Sequence, residues 1–171
     1  MNAVTEDMVI DVVDEHDRHV GVAKRREIFE RRVNFRVVHL FLFNRYDELL
    51  LQQLAFGRDR HPGQWGSSVA GYLFAGESYE EAAVRRLFSE LRVDDSKLRF
   101  YGKTAMFDQG CKKFISLFVG RAEGPFQFDT THIAQLDSRS IPEIVLMDRN
   151  KERVFTPTFL HVLDFYRQDS T

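Results

Sequence analysis

Apolar residues in this chain follow two rhythms, one of strands and one of helices. Val37-Val38-His39-Leu40-Phe41-Leu42-Phe43 is almost continuously apolar, as expected of a strand covered on both faces. The polar turn Asn44 to Glu48 leads to a partner at Leu49 to Gln53, and these two strands should form the sheet centre. Val9 to Val13 and Val20 to Ala23 flank the polar turn Glu15 to Arg18, which predicts an N-terminal hairpin over about residues 8–24. Lys24 to Arg32 suits a brief surface helix. Phe56 to Gln64 is a loop closed by Pro62-Gly63, and Trp65 to Gly71 returns to extended structure. Further strands are predicted at Leu98 to Phe107 and Lys113 to Arg121, joined by Asp108-Gln109-Gly110, and at Ile133 to Arg139.

Helical spacing appears after Ser78, an N-cap with Glu81 three residues on. Val84, Leu87, Phe88 and Leu91 form a stripe expected to face the core, which puts Arg86, Ser89 and Glu90 on the opposite side. Pro142 opens a short helix to about Asp148, and Pro157 opens another over about residues 157–167. Interleaved strands and helices predict an α+β fold in one domain, residues 1–171, with a mixed sheet between helical layers.

A hydrophobic content of 43% in 171 residues is enough for one buried core. With 24 basic and 26 acidic side chains there is no cationic excess to hold a nucleic-acid backbone, so none is expected as a partner. A single cysteine, Cys111, fits a reducing cytoplasm, and an acidic N-terminus lacks the basic start of a signal peptide. No apolar run approaches the ~20 residues that span a bilayer, so no membrane partner is expected. Nothing in the composition decides for or against a homodimer.

The chemistry is concentrated in Gly71 to Val93, GYLFAGESYEEAAVRRLFSELRV. Gly71, Glu77, Arg85, Leu87, Glu90 and Val93 stand at the separations of the Nudix motif, a glycine, a glutamate and an Arg-Glu-rich helix, and the segment resembles that motif. In Nudix hydrolases the carboxylates after the arginine sit at i, i+3 and i+4 and hold Mg2+ or Mn2+ against a diphosphate. Here those positions read Arg86, Ser89 and Glu90, a degenerate box in which Arg86 and Glu90 are placed to pair along one helix. Arg92 replaces the glycine expected at the helix end, so the cap must differ or be strained.

The resemblance extends over roughly Val9 to Phe165 and is closest to type I isopentenyl diphosphate isomerases and the Nudix hydrolases like them. It is carried by Val13 to Gly21, His39 to Gln53, His61 to Trp65, Ser67 to Ser78 and Phe155 to Pro157. It implies an α/β/α sandwich and a pocket for a small diphosphate. The isomerase cysteine would fall at Ala70, its metal histidines at Tyr72 and near Ile28 and Phe35, its later acids near Cys111 and Lys113, and its tryptophan at Arg153. Alkene isomerisation needs a proton donor and an acceptor, and both are missing at those positions.

Lys24, Arg58 and Arg86 match basic positions of the isomerase pocket, which makes them the candidate phosphate-binding residues; a further such arginine falls at Leu54. Arg60, Arg153 and His61 are lesser candidates. Glu77 and Glu90 are the remaining motif acids, hence the catalytic and metal candidates, although Glu77 is equally placed to orient Arg85. His39 is expected to be a hydrogen-bonded core residue, and Trp65 to pack beneath the motif loop. Two readings follow. One is a weak, Mg2+- or Mn2+-dependent diphosphate hydrolase, and the other is an inactive domain that binds a small phosphorylated molecule or a partner.

Overall fold

The computed structural model describes residues 7–94 and 97–168. A hairpin opens the described chain: β1 (Val9–Val13) pairs antiparallel with β2 (His19–Lys24), from Val9 opposite Lys24 to Val13 opposite His19. The brief helix expected next is split into a 3-10 turn, Arg25–Glu27, and one α-turn, α1 (Ile28–Arg31). It is not wholly a surface element, because Ile28 is fully buried.

The large sheet contains β3 (Phe35–Phe43), β4 (Leu49–Leu54), β5 (Trp65–Gly66), β6 (Val69–Tyr72), β7 (Arg99–Asp108), β8 (Cys111–Arg121) and β9 (Ile133–Arg139). Its order is β5-β4-β3-β8-β7, with β6 also on β3 and β9 also on β4. β3 and β4 do lie together at the centre, yet they are in register only at Phe43 and Leu49. They splay apart, which lets β6 pair with Val37 to Leu40 of β3 and β5 pair with Gln52 and Gln53 of β4. The principal partner of β3 is β8, parallel along the whole strand from Phe35–Lys113 to Phe43–Arg121. Since both faces of β3 are buried, its near-continuous apolar run is explained. β7 and β8 are joined through Gln109 and Gly110, both at positive φ, as a two-residue hairpin requires.

Alternation along β3 sends side chains to two cores. Phe35, Val37, Phe41 and Phe43 meet α1, α3 (Ile141–Arg149) and α4 (Pro157–Gln168) on one face. Val38, Leu40 and Leu42 meet α2 (Tyr79–Leu91) on the other. The result is an α/β/α sandwich. α2 starts as expected, with Ser78 Oγ accepting from Glu81 N at 3.1 Å and the Glu81 carboxylate accepting from Ser78 N at 3.1 Å.

The apolar stripe of α2 is corrected by the structure. Val84 and Phe88 are exposed, and the buried face is Ala82, Ala83, Arg86, Leu87 and Leu91. Two alanines let the helix lie close on the sheet, and that rotation turns Arg86 inward. At the helix end Arg92 adopts φ 59° and ψ 29°, the left-handed cap usually given to glycine, while its N–H donates to Phe88 O.

Candidate functional site

A cavity of about 570 Å3 opens between β6, the inward face of α2 and three loops. β6 supplies Ala70, Gly71 and Tyr72, and α2 supplies Arg86, Ser89 and Glu90, with Arg92 at its cap. The loop after β4 adds Arg58, Asp59 and Arg60, the turn after β2 adds Arg25, and the segment before β9 adds Gln127, Phe128, Asp129, Thr131 and His132. Five arginines therefore face three carboxylates.

Arg86 is the centre of this wall. Its side chain is only 8% exposed, it contacts the Glu90 carboxylate at 2.8 Å, and it donates to Ala70 O at 3.0 Å. Its Nε is buried with no hydrogen-bond partner. Gly71 makes room for it, because a Cβ there would lie 2.5 Å from the terminal nitrogen and closer still to Cζ and Nε. Glu90 also accepts from Gln52 Nε2 at 2.9 Å, and Gln52 donates to Ser68 O at 2.9 Å. The i, i+4 pair foreseen along an exposed helix is thus a buried one, where geometry and burial, not helix spacing, govern its energy.

Arg58 keeps solvent contact at the cavity rim, yet the surrounding walls dehydrate it enough to depress its pKa. Glu90 opposes that depression, and Arg86 and Arg25 reinforce it. Guanidinium groups stay protonated at neutral pH, so this corner holds cationic charge that an anion would relieve. Arg25 lies over the Tyr72 ring at 5.0 Å, with its Nε buried and unpartnered.

Of the candidate residues, Arg58, Arg86 and Glu90 come together in the cavity, as does Arg60. Lys24 is exposed and does not line it; its neighbour Arg25 does. Glu77 lies outside as well, gripping Arg85 through Nε at 2.6 Å and NH2 at 2.9 Å while accepting from Phe74 N at 2.9 Å. That arrangement braces the loop ahead of α2. Arg153 sits 3.9 Å over the Trp65 ring and pairs with Asp137 at 3.0 Å, away from the cavity lining. His61 is half-buried, its pKa lowered by burial and then by Arg60. His39 exchanges a hydrogen bond with Ser67 Oγ at 2.7 Å, and burial, with Lys113 and His161 adding, pushes its pKa down to about 3.

Four of the positions assigned to isomerase chemistry, Ile28, Phe35, Tyr72 and Cys111, lie in one packed cluster that is largely apolar. Phe35 stacks on Tyr72 at 5.6 Å and meets Phe29 edge-on, while the Cys111 thiol lies 3.7 Å from Ile28 O. Ile28, Phe35 and Cys111 are fully buried. Lys113 is committed to Asp108 at 3.1 Å and Thr158 Oγ1 at 2.6 Å.

Sequence reasoning missed Arg25, Arg92 and the 127–132 segment. Arg92 carried a signal, its place at a glycine position; the 127–132 segment shows no periodicity that would bring it to the cavity.

A NUDIX domain model matches residues 33–159, and the chain belongs to the Nudix family. Within that family it is similar to an uncharacterised Nudix hydrolase of Pseudomonas aeruginosa, 28% identical over 96% of each chain. It is also similar to an isopentenyl-diphosphate Delta-isomerase of Streptomyces avermitilis, 31% identical over 97% of this chain and 87% of the relative. A Deinococcus radiodurans crystal structure superposes with a TM-score of 0.79 at 24% identity, over 91% of this chain and 97% of that one. The NUDIX domain of Shewanella oneidensis NrtR, solved with ADP ribose, gives 0.63 at 15% identity, over 81% and 89%.

Nudix hydrolases generally use divalent metals, and the donor set here does not fit one. Hard cations of this size take about six oxygens, with anionic ones among them. Of the three helix-face positions only Glu90 is a carboxylate, and a guanidinium and an amide already occupy it. Asp129 Oδ1 accepts from Thr131 N and Oγ1 within its own turn, and its Oδ2 lies 4.0 Å from His132 Nε2. Among the described residues no three His, Cys, Asp or Glu side chains are grouped to hold an ion. No helix among them is long and apolar enough to cross a membrane.

Proposed function

We propose that this Nudix protein binds a small diphosphate-containing molecule in the arginine-lined cavity and turns it over slowly or not at all. The observation that carries the reading is the corner formed by Arg25, Arg58 and Arg86, where three guanidinium-bearing side chains line one cavity and Arg58 stands exposed at its rim. Phosphoryl oxygens accept guanidinium N–H groups in short, charge-assisted bonds. A volume of about 570 Å3 accommodates an organic part beyond two phosphates. The relatives named for isopentenyl diphosphate and the neighbour solved with ADP ribose are consistent with a diphosphate ligand.

Slow turnover follows from the helix face. Metal-assisted hydrolysis needs a bound cation to lower the pKa of water and neutralise the diphosphate. Arg86 neutralises charge without producing hydroxide. Alkene isomerisation lacks its thiol and acid, whose places are filled by Ala70, Cys111 and Lys113.

The test is a calorimetric and thermal-shift survey of inorganic pyrophosphate, nucleoside diphosphates and sugar diphosphates in excess EDTA, paired with a hydrolysis screen in Mg2+ and Mn2+. Saturable binding weakened by Arg58→Ala is expected. Absence of binding by every diphosphate sinks the proposal. Turnover at ordinary enzyme rates, abolished by Glu90→Gln, would replace it with the hydrolase reading.

A further inference from the structure

Arg86 does more than stand where a carboxylate is absent; it is built in as a fixed charge. Gly71 vacates the space its guanidinium fills, Ala70 O anchors one terminal nitrogen, and Glu90 lies against it at 2.8 Å. Gln52 then holds Glu90 from the far side at 2.9 Å. These contacts fix the guanidinium in the cavity wall, with Nε itself buried against Gly71.

We infer that this guanidinium takes over the charge role of a divalent cation, so that the cavity recognises a diphosphate in its metal-free form and dissolved Mg2+ competes with the protein for that ligand. The inference rests on the diphosphate-binding reading above and deepens it by naming the ligand's ionic state. A magnesium complex presents less negative charge and carries a shell of retained waters. Entering this corner, its cation would face Arg25, Arg58 and Arg86, and the one helix carboxylate beside them is already paired. The free polyanion meets Arg25 and Arg58 instead, with Arg86 shared between it and Glu90. Planar guanidinium forks match phosphoryl oxygens in a way a hydrated ion does not.

The experiment is titration calorimetry of the full chain with inorganic pyrophosphate, once in EDTA and once with Mg2+ in excess over ligand. Binding is expected in EDTA, with an apparent affinity about tenfold or more weaker in Mg2+, because only the uncomplexed fraction binds. Affinity that rises with Mg2+ overturns the inference and leaves the diphosphate reading standing. No binding in either condition overturns both. In Arg86→Ala, checked for folding by circular dichroism, Glu90 is released and the antagonism is expected to shrink or reverse. If antagonism persists unchanged in that folded variant, the assignment to Arg86 is wrong. Should the alanine variant fail to fold, the two titrations of the unaltered chain still decide the question.

Discussion

Gly71→Ala sets one methyl group against the Arg86 guanidinium. The backbone at Gly71 is not in the left-handed region, so an alanine is acceptable there apart from that single neighbour. The added carbon would fall 2.5 Å from the terminal nitrogen, and the only relief is for the guanidinium to swing out. Displacement removes its bond to Ala70 O, and a hydrogen bond to a charged group contributes about 1.5–3 kcal/mol. It also strips Glu90, only 13% exposed, of its cation. Breaking a fully buried pair costs about 3–5 kcal/mol, but this one borders an open cavity and belongs at or below the low end of that range. Alanine in a strand recovers about 0.5–1 kcal/mol relative to glycine. The expected net loss is therefore about 2–3 kcal/mol, because the two losses largely overlap. In an Arg86→Ala background nothing opposes the methyl, and Gly71→Ala should stabilise by about 0.5–1 kcal/mol. Urea denaturation of the wild type, both single variants and the double variant measures the coupling directly. Equal cost of Gly71→Ala in both backgrounds would refute the account of how this glycine and arginine fit together.

Three further outcomes are expected. His39 is neutral in the fold, with a pKa depressed from 6.5 to about 3, so its stabilising contribution is complete above pH 6.5 and is lost as pH falls toward 3; urea midpoints should reveal an acid slope of up to about 1.4 kcal/mol per pH unit that His39→Gln removes, and a slope unchanged by that variant contradicts the burial argument. Asp108 is raised by its own burial but held below the usual carboxylate range by Lys113 and Arg60, and Asp108→Asn should cost about 2–4 kcal/mol by stranding the buried Lys113 ammonium; a loss under about 0.5 kcal/mol, the ordinary surface scale, counts against that clamp. Arg92→Gly should raise thermal stability by about 0.5–1 kcal/mol by relieving a left-handed arginine, and no gain in melting temperature argues that its contact with the Phe88 ring, at 5.4 Å, offsets the strain.

Where local pattern decides structure, the reading from sequence needed little change. β1, β9 and the start of α2 lie where alternation, turn residues and the Ser78–Glu81 box put them. The rotation of α2 was not legible, because Val84 and Phe88 satisfy a helical stripe as well as Ala82 and Ala83 do, and only the closeness of the sheet selects the smaller pair. That choice decides which way Arg86 points. The register of β3 with β8 was hidden too, since a parallel partner 78 residues away leaves no local mark. Among candidate residues, Arg86 and Glu90 stand at motif positions, and Arg58 was found from the resemblance to the isomerase pocket. Arg25 was missed by one position, because β2 ends at Lys24 and the turn that follows changes which side chain faces inward.

The stacked rings of Phe35 and Tyr72, closed in by Phe29, Ile28 and Cys111, bear on how this scaffold could be redirected. Placing histidines and acids at those positions would not by itself create a reaction chamber, since the volume they need is occupied by close-packed aromatic matter. Hollowing it out is the harder step: deleting a buried phenylalanine ring costs about 3–5 kcal/mol, a large share of what holds a domain of this size together. Engineering prenyl chemistry into this fold would have to begin with compensating stabilisation elsewhere, and only then with ligands.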